Sequence, residues 1–225
     1  FGDIRLVSKN GDISFMASSN IPVANRVDYD GNPLQISDPL GILASHGGGG
    51  GRIHYVQAGH GGYSTGGNHQ GDISVIAENG GIHVVGGMLT NDNSSGQLHY
   101  AQIGHGSSNA NTTTPAGDLE GDIKVHALGG NVVVVAGDAL TNTAQIGHGG
   151  PHNGTIYGDL EGDISVIARN NLQLNSGNAD LATNWGKIGH GDVRNAGSGF
   201  IDGHIHISIG DSLHMGRAVI GHLDY

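Results

Sequence analysis

Hydrophobic and polar residues alternate with period two in short segments that recur along the whole chain. In the segment ISVIA at 164–168, Ile164, Val166 and Ala168 share one face, while Ser165 and Ile167 share the other. This alternation is typical of a half-buried β-strand. No stretch is rich enough in Leu, Glu, Lys and Ala to carry a long helix. The pattern therefore predicts an all-β protein.

The alternating segments fall into three blocks that repeat in a fixed order five times. The first block opens with Gly-Asp-Ile, or Gly-His-Ile in the last copy, at Gly2, Gly71, Gly121, Gly162 and Gly203. The second block begins, after a short Asn- or Gly-containing turn, at Ile13, Ile82, Val132, Leu172 and Leu213. The third block ends in Gly-His at His60, His105, His148, His190 and His222.

The shortest copy defines the repeating unit. Residues 203–222 accommodate all three blocks in about 20 residues, which is the length of one coil of a β-helix. The other copies carry insertions at 18–54, 61–70, 87–99, 106–120, 149–161 and 191–202. The sequence thus predicts one domain over 1–225, a parallel β-helix (β-solenoid) of about five coils of three strands with inserted loops. Parallel crossovers favour the right-handed form. A β-propeller is the alternative, but its four-stranded blades do not fit a 20-residue unit.

Composition agrees with this prediction and narrows the functional classes. Glycine supplies 43 of the 225 residues, far above the usual share of about 7%, which suits a chain with many tight corners. The net charge of −11 disfavours nucleic-acid binding. The chain has no cysteine, so disulfides and thiol chemistry are excluded, and no apolar run is long enough to span a membrane.

Stacked coils would align equivalent residues into columns. One column contains the five histidines His60, His105, His148, His190 and His222, and another contains Asp3, Asp72, Asp122 and Asp163. Because a metal needs three or four ligands around one point, the histidines are better explained as corner residues that bond neighbouring backbone. The carboxylates are expected to accept backbone N–H bonds of their turns.

Calcium is the sharper hypothesis for some of the carboxylates. Two similar segments cluster hard oxygen ligands of the kind that calcium prefers. Their candidate ligands are Asp118, Glu120, Asp122, Asp159, Glu161 and Asp163. No other metal or cofactor is expected.

Two outward-facing sets of side chains could contact partners. Tyr55, Tyr100 and Trp185 occupy one column and form a possible ridge for a sugar or another partner. Apolar residues also alternate outward in the first strand (Val7, Ile76 and Ile167) and in the second (Met16, Val85, Val133 and Val135). Such residues indicate either cover by the inserted loops or lateral association, and the long insertions favour loop cover.

The tandem Gly-Asp-Ile strands and Ala-Gln-Ile-Gly-His-Gly segments resemble repeats of large bacterial surface proteins. They are similar to those of filamentous-haemagglutinin-type adhesins and autotransporter passengers, and the resemblance extends from Gly2 to His222. It implies export, an extended right-handed β-solenoid, and a role in adhesion or fibre formation.

These observations predict a structural component of an extracellular bacterial surface fibre or giant adhesin, not an enzyme. No polar cap is recognisable at either end, so we expect a segment of a longer solenoid or copies that stack head-to-tail. A cell-surface glycan is a possible further partner. The alternatives are a β-helix that binds or cleaves polysaccharide and a calcium-dependent surface module.

Overall fold

The computed structural model describes residues 2–17, 42–45, 53–63, 66–87, 98–108, 116–137, 142–150, 158–176, 184–191 and 199–222. These residues contain 22 strands, numbered β1 to β22 in chain order, and no helix. The strands form four larger parallel sheets and one two-stranded parallel sheet. The all-β prediction is confirmed.

The first block of each repeat builds sheet 1. Its strands, in spatial order, are β1 (Ile4–Ser8), β7 (Ile73–Ala77), β12 (Ile123–Ala127), β16 (Ile164–Ala168) and β20 (Ile205–Ile209). Equivalent residues pair in register, so that Ile73 pairs with Ile123 and Ile123 with Ile164. In β7 and β16 every second residue is buried, as the alternation predicts.

The second block builds sheet 2. Its strands are β2 (Ile13–Met16), β8 (Ile82–Val85), β13 (Val132–Val135), β17 (Leu172–Asn175) and β21 (Leu213–Met215), with β3 (Ile42–Ser45) paired to the outer edge of β2. β3 falls inside the predicted insertion 18–54, so that segment contributes a strand as well as a connection. It also covers one strand edge that the sequence predicts to be uncapped.

The third block builds sheet 3 from β4 (Ile53–Ala58), β9 (Leu98–Ile103), β14 (Ala144–Ile146), β18 (Gly186–Ile188) and β22 (Ala218–Ile220). Its register again matches equivalent residues, with Gln102 beside Gln145. The three blocks of the sequence are therefore the three principal faces of each coil.

A fourth face, sheet 4, corrects the predicted coil of three strands. It contains β6 (Gly67–Gln70), β11 (Ala116–Glu120), β15 (Leu160–Glu161) and β19 (Ile201–Asp202). A small sheet 5 pairs β5 (Gly61–Tyr63) with β10 (Gly106–Ser108). These strands lie in segments predicted to be loops, because they are short and most of their residues are glycine or polar.

The inward residues of sheets 1 to 3 form one core along the stack. It consists of Ile, Val, Leu and Ala with Phe15. A fully buried aliphatic side chain contributes about 1.5–3 kcal/mol, and each coil buries its inward face only against its neighbours. The described chain is thus a parallel β-solenoid, as predicted. Its right-handed sense stays a prediction.

The outward apolar residues behave differently in the two strands that carry them. In sheet 2, Met16, Val85, Val133 and Val135 are at most 4% exposed. This face is therefore covered within the chain, as the loop-cover interpretation predicts. In sheet 1, the equivalent residues Val7, Ile76 and Ile167 are half-buried.

No helix within the described ranges is long and apolar enough to cross a membrane.

Candidate functional site

The Gly-His corner at the end of sheet 3 is built on a backbone that only glycine tolerates. Gly147 has a φ of 151°, a conformation that residues with a Cβ rarely adopt. A Cβ added there would lie 2.0 Å from the carbonyl oxygen of Gly189 in the next coil. The corner therefore requires glycine both for its backbone conformation and for the close approach of the coils.

The five histidines that follow these glycines form a continuous ladder. Neighbouring rings stack almost parallel, with centroids 4.7–5.0 Å apart. The backbone N–H of each of the first four histidines donates to the ring Nδ1 of the histidine in the next coil, at 2.9–3.1 Å. The ladder members are His60, His105, His148, His190 and His222.

The second ring nitrogen ties each histidine to the start of its own coil. The Nε2 of His105 lies 2.7 Å from the carbonyl oxygen of Gly71, and that of His148 lies 2.8 Å from the carbonyl oxygen of Gly121. A carbonyl only accepts, so Nε2 carries the proton and Nδ1 is the unprotonated acceptor. Both nitrogens are thereby engaged, and a metal could bind only by displacing one of these bonds.

Burial favours the neutral form of His105, His148, His190 and His222. Desolvation lowers the pKa of His105 and of His190 to about 4, although hydrogen bonds to the Gly71 and Gly162 carbonyls oppose the shift. It lowers the pKa of His148 well below 6.5 and also lowers that of His222. The inner rings are consequently neutral at pH 7.

A column of buried amides beside the histidines escaped the sequence analysis. Gln102 is 1% exposed, and its Nε2 donates to the carbonyl oxygens of Gly147 and Gly149 at 3.0 and 2.6 Å. Gln57 and Gln145 make the equivalent bonds in their coils. The signal was available, since Gln recurs three residues before His in three copies.

In the fourth coil a lysine takes the place of this glutamine. Lys187 is 2% exposed, and its Nζ donates to the carbonyl oxygens of His190 and Gly191 at 2.7 and 2.6 Å. Like the amides, the ammonium group donates to the carbonyl oxygen of the histidine in its own coil. Its second acceptor, the Gly191 carbonyl oxygen, also accepts a hydrogen bond from Gln145.

The predicted aspartate column forms a second ladder at the start of sheet 1. The Oδ1 of Asp3, Asp72 and Asp122 accepts the backbone N–H of the aspartate in the next coil at 3.0 Å. The sequence predicts that each aspartate accepts an N–H of its own turn. The donor instead belongs to the adjacent coil. The ladder ends where Asp163 accepts the N–H of His204, a bond that lowers the pKa of that carboxyl.

The calcium candidates are distributed among such ladders. In sheet 4, Asp118 accepts the N–H of Asp159, and Glu120 accepts the side-chain amide of Gln70 at 2.7 Å. Asp122, Glu161, Asp163, Asp202 and His204 line a shallow groove of about 360 Å³. Within the described ranges, no three His, Asp or Glu side chains gather closely enough to hold a metal ion. Calcium binding stays a hypothesis.

The predicted aromatic ridge is not continuously exposed. Tyr55 and Tyr100 stack with ring centroids 5.1 Å apart, but Tyr100 is completely buried. Trp185 instead lies under the guanidinium of Arg217, 5.9 Å from the ring centroid. The prediction of a binding ridge was wrong for Tyr100, because the outward face of sheet 3 is covered at that coil.

A buried Ser, His and Asp group on sheet 2 was also missed. Ser14 Oγ lies 3.0 Å from His83 Nδ1, and His83 Nε2 lies 3.9 Å from Asp12 Oδ2. The last distance exceeds a hydrogen bond, and all three residues are at most 3% exposed. This arrangement lies on the covered face of the sheet.

Comparison with known proteins gives no match: no family model, curated protein or solved structure is significantly similar to the chain.

Proposed function

We propose that this chain is a structural component of an extracellular bacterial surface fibre or giant adhesin, built by stacking of solenoid coils. The observation that carries the proposal is the coil-to-coil bonding of the corners. Each coil uses its neighbour's side chains to satisfy its own backbone, through the histidine, glutamine and aspartate ladders. Such a unit has no independent stability and is suited to an extended array.

The fifth coil supplies a second line of support. Its apolar side chains Leu213, Met215 and Ile220 are 38–45% exposed, and Phe200 is 64% exposed. A coil of the same protein stacked on this face, in a longer chain or in a second copy, would cover them. The contact would differ from the internal ones, because His204 and Val219 occupy the aspartate and glutamine positions.

The two alternative functions have less support. Burial of Tyr100 interrupts the surface on which glycan binding was predicted. The carboxylates of the described residues are likewise dispersed and give a calcium-dependent module no assembled ligand set there. The fibre proposal uses the histidine ladder, which runs through all five coils.

Immunogold electron microscopy of intact source cells tests the proposal. Antibodies raised against the purified chain are expected to label thin structures that extend from the cell surface. Antibodies against a cytoplasmic protein provide the control and are expected to label only permeabilised cells. If the chain were labelled only after permeabilisation, the proposal would be contradicted.

A further inference from the structure

Four of the five ladder histidines, His105, His148, His190 and His222, use both ring nitrogens for hydrogen bonds. Nδ1 of the inner rings accepts a backbone N–H from the preceding coil, and Nε2 donates to a glycine carbonyl of its own coil. A protonated imidazole carries hydrogen on both nitrogens. Its Nδ1–H would face the N–H group of the preceding histidine at about 3 Å, where two donors meet without an acceptor.

Stacking adds a second obstacle to protonation. The rings of His105 and His148 are 4.9 Å apart, and those of His148 and His190 are 4.7 Å apart. Two imidazolium ions at this separation would repel each other in a buried environment. A ring must therefore leave the corner in order to accept a proton.

The charged and titratable groups around the ladder do not supply enough compensation. His69 of β6 and Asp72 face His105, whereas Asp163 and Lys187 face His190. Asp202 and Lys187 face His222, and the neighbours of His148 are other ladder histidines and the Gly121 carbonyl. The carboxylates favour protonation, but burial, the neighbouring histidines and the lysine oppose it.

We propose that the histidine ladder is an acid-sensitive switch. Its hydrogen bonds hold the Gly-His corners closed at neutral pH, and acidification opens the corners locally and reversibly. Release would expose the corner carbonyls and N–H groups while the parallel ladders of sheet 1 remain intact. The proposal concerns the fold of the described coils and does not depend on the proposed function.

The direction of the pH effect follows from proton uptake. Above about pH 6.5 a ring is neutral whether the corner is closed or open, so the ladder contributes its full stability. As the pH falls from 6.5 towards about 4, an open ring binds a proton that a closed ring does not bind. The equilibrium for opening should rise about tenfold per pH unit for each ring released.

Hydrogen exchange measured by NMR from pH 7 to pH 4, corrected for intrinsic rates, tests the proposal on the unmodified chain. The N–H groups of His60, His105, His148 and His190 donate to the ladder, so their protection should fall about tenfold or more per pH unit. The amides of Val125 and Val166 in sheet 1 should keep their protection, and the loss should reverse at neutral pH. Two results would overturn the proposal. One is a simultaneous loss of protection at the ladder N–H groups and at the sheet 1 amides. The other is retained protection of the ladder N–H groups although the rings of the inner histidines titrate with a pKa near 6.5.

A pair of variants isolates the central ring. His148→Gln removes one titrating group and keeps a side chain that can accept a hydrogen bond, so the fall in protection with pH should become shallower. His206→Gln is the matched control, since His206 is exposed on β20 and lies outside the ladder. If protection of the ladder N–H groups fell with pH equally steeply in both variants, the proposed role of the ladder would be contradicted. If His148→Gln fails to fold, the exchange measurement on the unmodified chain still decides.

Discussion

At the residue scale, the Gly-His corner combines three side-chain requirements. Glycine allows the close approach of two coils, histidine bonds the backbone at both ring nitrogens, and glutamine donates to backbone carbonyls of the corner. Gly147, His148 and Gln145 illustrate the set in the third coil. A buried carbonyl left without a donor costs about 1–3 kcal/mol, so each substitution at the corner has a local cost.

Lys187 allows this requirement to be tested with a matched pair of substitutions. Lys187→Leu removes the side-chain donor to the His190 carbonyl, whereas the Gly191 carbonyl still accepts from Gln145, and it should lower the free energy of unfolding by about 1–3 kcal/mol. Lys187→Gln introduces the side chain of the first three coils and avoids a buried charge, so its stability should equal or exceed that of the unmodified chain. Urea denaturation at pH 7.5 measures both values. A Gln variant as unstable as the Leu variant would contradict the proposed role.

Individual residues also show which parts of the site could be predicted from the sequence. The histidine and aspartate columns were predictable, because the same residue type recurs at the same place in each repeat. The burial of Gln102 and Tyr100 was not, because alternation separates two faces of a strand without showing whether the outer face is covered. The hydrogen-bond partner of Asp72 could not be predicted, because it is a backbone N–H of the neighbouring coil.

At the scale of the strand, register is the property that gives rise to the ladders. Equivalent residues pair across sheet 1, so Ser74 lies beside Lys124 and Lys124 beside Ser165. A shift by one residue would turn the inward Ile and Val outward. The sequence predicted the three long strands of each coil, but two-residue strands such as β15 carry no detectable period.

Disulfide trapping tests this register directly in a chain that has no native cysteine. Ser74→Cys with Lys124→Cys should cross-link readily, because in-register neighbours lie about 4.8 Å apart, within the Cα range of a disulfide. Ser74→Cys with His126→Cys is displaced by two residues and should not cross-link, since the Cα atoms would be about 8 Å apart. Mass spectrometry under non-reducing conditions distinguishes the two. Equal cross-linking of both pairs would be inconsistent with this register.

At the scale of the whole molecule, five coils stack into a short rod whose last described coil differs from the others. The aspartate ladder ends at His204 and the glutamine column ends at Val219, whereas the histidine ladder continues to His222. At the other edge, β3 pairs with β2 in sheet 2. The two edges therefore offer different contacts to any coil that stacks on them.

The central claim is that the repeats form an open stack and not a closed ring. Distances between pairs of spin labels, measured by double electron–electron resonance, test it most directly. Labels on cysteines introduced at the exposed positions Arg5 and His206 lie in one column of sheet 1, four steps apart, and Ser165 lies three steps from Arg5. With about 4.8 Å per step, the backbone separations should be about 19 Å to His206 and about 14 Å to Ser165. Narrow distributions that lengthen from Ser165 to His206 are the predicted result. A shorter distance to His206 than to Ser165, as in a ring, or broad distributions for both pairs would contradict the account.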